Sequence, residues 1–517
     1  MPARSLRLSF LLKICLTILL VASFDWLFPY GIEGLAVGLF ALAWLIGLIL
    51  GRRDVRHARL DVAVALACGA IFCVALAYDP GPLAWALFWI ALSLAALLPR
   101  VMRFDDAWRW LLRLGLHGLT GLAKPLIDMG RLAGIRPRGK KLTLRALATL
   151  LGLPLIGTTL FTALFATANP VIADLLGRIR LPPPREVAEW VMVSLLVWPA
   201  LRPHRIVTRL RLPEPHIALP GGSLASVLIA LTMFNALFAV ENGLDIAFLW
   251  SGAALPAGMS ITEYVHRGAY PLIATALLAG LLALTMLRPG TPTAANPAAR
   301  RLVALWVAQN IFLVASSALR TIRYVEEYQL TAWRIAALLW MALVAVGLVL
   351  ICGRIWFTKS ARWLVNANAL AAALVLVPCC FVDLDAAAAR WNVRHAAEAG
   401  GAGQKIDLCF LSRMGAPALL PLVELEQGAI PADLRDRVTA VRSEILDGLV
   451  ADQSRWWSWT PHGAVRLAQA RQALGSSPAR PAPVPQGFAR GCDGALYSTD
   501  YPAGGIDVSA LTGTPAQ

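Results

Sequence analysis

The sequence predicts an all-α polytopic membrane protein with about 11 transmembrane helices and a small helical, extracytoplasmic C-terminal domain. Three observations carry that expectation. Of 517 residues, 58% are hydrophobic and only 15% are charged, too little charge for a soluble domain of this size. The apolar residues gather into stretches close to the ~20 residues that a helix needs to cross the hydrocarbon core. Between the stretches, lysine and arginine concentrate in alternate connections, as insertion with the basic loops in the cytoplasm requires.

The stretches lie near 10–28, 33–50, 60–78, 82–99, 144–166, 187–201, 219–242, 269–287, 302–322, 333–353 and 363–382. Those at 33–50, 82–99 and 187–201 are short. The last is the weakest, and without it every later connection would change sides. With a cytoplasmic N-terminus, the inner connections hold 28 of the 47 basic residues and the outer ones seven; the other twelve follow residue 382. The inner set runs from Arg4, Arg7 and Lys13 through Arg52, Arg53, Arg56 and Arg59 to Arg354, Lys359 and Arg362. Eleven spans then place the C-terminal region outside the cytoplasm.

The net charge of +16 has the same origin, because residues 1–382 carry +18 and residues 383–517 carry −2. The excess is a topology signal and an attraction to anionic headgroups at the cytoplasmic face. Nucleic-acid binding is excluded as its meaning. The N-terminus resembles a signal sequence, but its apolar run is too long and no Ala-x-Ala site follows it. An uncleaved first span in a bacterial inner (plasma) membrane is the expectation.

Residues 1–99 read as two helical hairpins with very short outer turns at 28–33 and 78–82. Residues 100–143 form a basic amphipathic segment on the cytoplasmic interface. There Trp108, Trp110, Leu111 and Leu114 are expected in the headgroup region, with Arg109 and Arg113 toward lipid phosphate. A second short helix is expected over 119–132, and a soluble linker is the alternative. Residues 144–382 read as a seven-helix core. Residues 383–474 read as a helical domain with apolar periodicity through 434–449. Residues 475–517, rich in Pro, Gly, Ala and Ser, are expected to be disordered.

No complete catalytic, cofactor or metal motif occurs, so neither a cofactor nor a catalytic residue is expected. Gly134-Ile-Arg-Pro-Arg-Gly139-Lys140-Lys141 lacks the final Ser/Thr and the preceding strand of a phosphate-binding loop. The seven histidines have no metal-ligand spacing. Cys409 and Cys492 alone lie in the outer region, where a disulfide and two unpaired thiols are both open. Gly34-x-x-x-Gly38 and Gly47-x-x-x-Gly51 suit close helix contact. Asn235, Gln309 and Asn310 fall mid-span, where polar groups must find partners; interhelical hydrogen bonding and a substrate path are the two readings. The densest polar cluster lies at the outer interface: Asp245, Glu263, Tyr264, His266, Arg267, then Arg320, Arg323, Tyr324, Glu326, Glu327 and Arg334. Helical spacing sets Glu263 beside Arg267, and Arg323 beside Glu326 and Glu327. A salt-bridge network fixing helix ends and a headgroup ligand site are both open.

These residues also carry a resemblance. Asp245…Leu255-Pro256…Glu263-Tyr264…Arg267-Gly268…Tyr270 resembles bacterial membrane proteins of the domain of unknown function 4153/4173 families. Arg320…Tyr324-Val325-Glu326…Tyr328-x-Leu330-Thr331…Arg334, with Trp340-Met341, looks like a second signature. So do Asp383…Ala389-Arg390-Trp391-Asn392-Val393, Leu408…Leu411, Pro417…Leu420 and Trp457-Ser458-Trp459. Trp391 and Phe410 stand where a tyrosine is expected. The likeness covers roughly 144–474 and implies a multi-pass inner-membrane protein with no established activity.

The leading functional expectation is a non-enzymatic envelope binding, sensing or scaffold protein, contacting an envelope protein or lipid through residues 383–475. Trp391, Trp456, Trp457 and Trp459 are its candidate contact residues, although they could instead dock the domain onto the bundle. A transporter or lipid-handling protein using Asn235 and Asn310 is the alternative. A membrane glycosyltransferase with Asp25 as base is a third, disfavoured by an outer loop of only a few residues.

Overall fold

The computed structural model describes residues 2–56, 59–101, 106–133, 144–169, 182–204, 206–207, 223–251, 275, 278 and 292–498. In the bundle these form α1 (Pro2–Leu27), α2 (Gly34–Gly51), α3 (Leu60–Tyr78), α4 (Pro82–Leu97), α5 (Ala107–Ala133), α6 (Leu144–Ala168), α7 (Pro184–Leu201), α8 (Leu224–Asp245), α9 (Pro297–Tyr328), α10 (Ala332–Trp356) and α11 (Ala361–Cys379). A π-helical turn, Ile246–Trp250, continues α8. All but α5, α6 and α7 are long and apolar enough to cross a membrane, eight among the described residues. The starts follow local chemistry: side chains of Asn296, Thr331 and Ser360 accept backbone N–H groups at the first turns of α9, α10 and α11. The expected spans at 144–166 and 187–201 fall on α6 and α7; of the one at 269–287 only residues 275 and 278 are described.

Two apolar clusters organise the bundle. The first joins α1–α4 with α7, around fully buried Leu48, Phe88, Leu92 and Leu201. Helix α7, counted in the sequence with the seven-helix core over 144–382, packs here with the N-terminal hairpins. A buried arginine explains the attachment. Arg52 Nη1 donates to Ala96 O at 2.5 Å and to Ala200 O at 3.3 Å, so one guanidinium serves the C-terminal turns of α4 and α7. Those carbonyls lack helical donors and carry the negative end of each helix dipole. Asp54 closes the guanidinium from the other side.

The second cluster joins α8, α9, α10 and Leu364 of α11 around Trp306. Phe234 stacks on that indole at 5.2 Å and Phe238 meets it edge-on at 5.8 Å. Helices α8 and α9 run parallel, with Asn235 bonded to Leu302 and Asn242 to Gln309. Trp250 and Pro297 therefore sit at opposite ends of the bundle.

Helix α5 is continuous through Pro125, where two short helices were expected. Its outward face matches the expectation only in part. Trp110, Arg113, Leu114, His117, Lys124 and Asp128 are buried, while Trp108, Leu111, Leu119, Leu122 and Leu126 are exposed. Trp110, Leu114 and Arg113 thus turn toward the protein, with Arg113 lying over the Trp110 ring at 5.2 Å. Asp128 gathers Lys124 at 2.5 Å, Trp198 at 3.1 Å and Arg202 at 3.4 Å. Beside acyl chains a charged face gains more from the bundle than from its surroundings, so the outward stripe is the apolar one.

Beyond α11 the chain forms a compact helical unit: α12 (Leu384–His395), α13 (Leu408–Met414), α14 (Leu419–Gln427), α15 (Ala432–Ser454) and α16 (Pro461–Leu474). Leu434, Val438, Val441, Ile445 and Leu449 of α15 are buried in its core with Leu411, Leu419 and Leu422. Glu426 is buried but fully engaged, by Arg442 at 2.9 Å through two nitrogens and by Thr439 at 2.8 Å. Residues 475–498 depart from the expected disorder. They carry an antiparallel hairpin, β1 (Phe488–Arg490) with β2 (Leu496–Ser498). Cys492 is disulfide-bonded to Cys409, and Arg490 pairs with Asp436. Composition misled there because a covalent link and an ion pair hold this segment, rather than apolar burial.

Candidate functional site: a polar seam and a docked end

The interface of α8 and α9 holds the polar residues that apolar sequence makes conspicuous. Gln309 Nε2 donates to Asn235 Oδ1 at 2.7 Å. Asn235 Nδ2 donates to Leu231 O at 2.8 Å and Leu302 O at 3.0 Å. Asn242 reaches Gln309 O at 3.2 Å, and Asn310 reaches Trp306 O at 2.7 Å. Farther along, Arg320 forms an ion pair with Asp245, the two side chains only 2% and 0% exposed. Glu241 lies 3.9 Å from the same guanidinium. Trp250 Nε1 donates to Ser316 Oγ at 3.0 Å. The mid-span amides and the Asp245–Arg320 pair, separate in the sequence reading, lie along one helix interface. Asn242 Oδ1, Gln309 Oε1 and Asn310 Oδ1 are buried acceptors with no hydrogen-bond partner among the described residues.

Of the outer cluster, Glu263, Tyr264, His266 and Arg267 lie outside the described residues, and with them the Glu263–Arg267 pair. Arg323 meets Glu326 at 3.3 Å, both more than half exposed. Tyr324 stacks on Tyr328 at 4.6 Å, and Arg334 lies 4.4 Å over Tyr324. Arg334 also donates to Tyr328 O at 2.7 Å and to Gln329 O, so it holds the turn in which Gln329 adopts φ +67°. Asp25 accepts from Trp190 Nε1 at 3.1 Å.

The helical unit grips three turns at one end of the bundle. On the first turn, Leu35 N donates to Trp459 O at 2.7 Å, Trp26 stacks on Trp456 at 5.2 Å, and Tyr30 meets Trp457 at 5.1 Å. These tryptophans therefore dock the unit. On the second, His462 stacks on Tyr78 at 4.9 Å and stands 3.6 Å from Asp79 and 3.8 Å from Asp383. Arg466 pairs with Asp383, which also caps α12. On the third, Asn392 donates to Leu330 O at 2.8 Å and accepts from Leu330 N at 2.6 Å, as a neighbouring strand would. The described basic residues Arg52, Arg53, Arg56, Arg59, Arg202, Arg354, Lys359 and Arg362 lie at the other end of the same helices.

Sequence reasoning missed Arg52 and the Asp79–His462–Asp383–Arg466 group. Short-range spacing had no signal for either, since the partners come from distant segments. At this junction the Asp385 carboxyl is raised above the ordinary value near 3.8, by burial first, then by the charges of Asp383 and Asp79. A carboxyl raised in the folded state binds protons that the unfolded chain releases. Its contribution is fully present below the unfolded value and is lost as pH rises through the folded one. Asp385→Asn is therefore expected to raise Tm at pH 7 and to leave it unchanged near pH 3.5. Thermal unfolding in detergent at both pH values checks this, and an equal shift at the two would remove the electrostatic account.

The model of a domain of unknown function (DUF4153) matches residues 62–425. The match begins in α3, earlier than the likeness seen in the sequence, and ends in α14, before the Trp457-Ser458-Trp459 block. It takes in the α3, α4 and α7 part of the first apolar cluster, the second cluster, the polar seam and the Asp383–Asn392 segment, and leaves out α1 and α2. No curated protein and no solved structure matches the chain. With more than half of its length covered by that match, the chain belongs to the DUF4153 family.

Proposed function

We propose that this chain is a non-enzymatic bacterial inner-membrane protein of eleven spans that presents its C-terminal helical unit outside the cytoplasm as an envelope binding or scaffold module. The observation that carries this reading is the three-point grip of the unit on one end of the bundle, opposite the basic connections. Positive-inside insertion then directs the unit away from the cytoplasm. The Cys409–Cys492 disulfide supports the same side, because an oxidising compartment preserves it. A cavity of about 200 Å³ between α15 and the hairpin, lined by Val441, Glu444, Val484, Arg490 and Cys492, gives the unit a concave face.

A photo-crosslinking residue at Ala440, in the wall of that cavity, tests the reading in intact cells, with exposed Arg413, which is not part of the wall, as the control. A discrete adduct from position 440 alone, together with an active C-terminal alkaline phosphatase fusion, is the expected result. An inactive fusion or identical adducts from both positions would sink it. Transport is the second reading, favoured by the three buried acceptors of the seam that have no hydrogen-bond partner among the described residues. Solute flux through proteoliposomes that Asn235→Leu and Asn310→Leu abolish would replace the first reading by that one.

A further inference from the structure

At the bundle end opposite the helical unit, a second cavity opens between the first turn of α9 and the last turn of α10. Its volume is about 270 Å³, near the lower edge of the ~300–1,000 Å³ typical of ligand sites. Arg300, Arg301, Ile355 and Trp356 line it, with Pro297, Ala304 and Cys352. One side is cationic and the other apolar.

The charge around it is one-sided. No Asp or Glu occurs in residues 292–325 or 329–382, so none of the three helices α9–α11 supplies a carboxylate at this end. Arg300 spends one nitrogen on Ile355 O, at 2.9 Å, which fixes its guanidinium at the cavity wall. Among the described residues, no carboxylate pairs with Arg300 or Arg301. Arg354, one position before the wall residue Ile355, is 8% exposed, and among the described residues no carboxylate pairs with it either. Cations so close to apolar surroundings are costly without an anion. The planar fork of arginine matches a phosphate better than a point charge does. Trp356, 65% exposed, provides the amphipathic aromatic wall usual at headgroup depth, with Phe357, 71% exposed, next to it in the chain.

We propose that this cavity is a phosphate-recognising site whose occupant is a phosphate ester, held by Arg300 and Arg301 with its apolar part against Ile355 and Trp356. The same chemistry is offered by the headgroup of an anionic phospholipid and by a soluble phosphate. The site is small enough for one phosphoglycerol group and leaves the acyl chains outside.

The test is thermal unfolding of the full-length protein in a neutral detergent. Additions are phosphatidylglycerol, phosphatidylcholine, or inorganic phosphate with glycerol phosphate. Phosphatidylglycerol at ~100 times its Kd is expected to raise Tm by about 2–3 °C. Phosphatidylcholine should do much less. R300Q/R301Q should abolish the response, and R323Q, at the opposite end, should keep it. Exposed Arg301 alone, as R301Q, serves if the double variant does not fold; it should shift the lipid midpoint at least several-fold. R300K/R301K, which keeps charge without the fork, should bind between the two. A response to the soluble phosphates alone would identify them as the occupant of the same site. Equal responses to both lipids, or an undiminished phosphatidylglycerol response in R301Q and R300Q/R301Q, would overturn the proposal.

Discussion

Arg320→Ala is expected to leave little folded protein, and to be more damaging than Asp245→Ala at the same contact. Both side chains are almost wholly buried between α8 and α9. Removing the guanidinium takes the buried ion-pair partner of Asp245 out of a low-dielectric interface, a loss of ~3–5 kcal/mol for a broken buried pair. Removing Asp245 is milder, because Arg320 keeps Glu241 at 3.9 Å, and that carboxylate is partly exposed and free to approach. Asp245→Leu with Arg320→Met should recover most of the loss, since replacing both members of a buried pair by apolar groups is often neutral or better. The measurements are the yield of inserted protein and the midpoint of thermal unfolding in detergent. A stable Arg320→Ala protein would mean that apolar packing around Trp306 alone sets the register of α8 on α9.

That comparison shows where the sequence was informative and where it stopped. Asn235, Gln309, Asp245 and Arg320 stand out in apolar runs because the bilayer demands a partner for each. Which partner each takes depends on the stagger of two parallel helices, which Phe234, Phe238 and Trp306 fix through a contact some seventy residues away in the chain. Helix α5 teaches a related point. Its amphipathic period was legible from Trp108 to Leu126, but the same pattern serves a helix whose polar face meets water and one whose polar face meets protein. Only the position of Asp128 against Trp198 and Arg202 decides between them. Trp456 and Trp457 were visible as large aromatics in a soluble segment. Their meaning changed once Trp26 and Tyr30 were found beneath them. Helix α7 reads as a weak span because Arg185, Glu186 and Glu189 shorten its apolar run, and its membership of the first cluster rests on Arg52, 148 residues away.

Two alanine substitutions one helical turn apart should separate the docking of the helical unit from the packing of the bundle. Gly38 faces Ala77, and a Cβ there would stand 2.4–2.6 Å from atoms of that residue, its backbone nitrogen included. Helix α3 cannot yield its backbone locally, so Gly38→Ala is expected to push α2 and α3 apart. Overpacking of this kind costs about 1–3 kcal/mol, and the whole unfolding transition should move down. Gly34 meets a different surface. It adopts φ +64°, and a Cβ would lie 2.3 Å from Trp457 O and 2.6 Å from Ser458 C. Alanine there is strained in the left-handed region and collides with the docked segment, whose atoms are the nearest it would meet. The expected result is a local one. Hydrogen exchange should rise at Leu35 and across 456–460, and protease should cut that segment, with the core amides of α2 and α3 unchanged. Gly81→Ala is the control, because a Cβ at Gly81 meets nothing within 4 Å. If Gly34→Ala protects 456–460 as well as the parent does, the grip on the first turn is not what holds the unit. If it releases the segment and also erases the adduct expected from position 440, the docked geometry is part of the binding module. If the adduct persists, the unit binds by its own surface and the bundle only carries it.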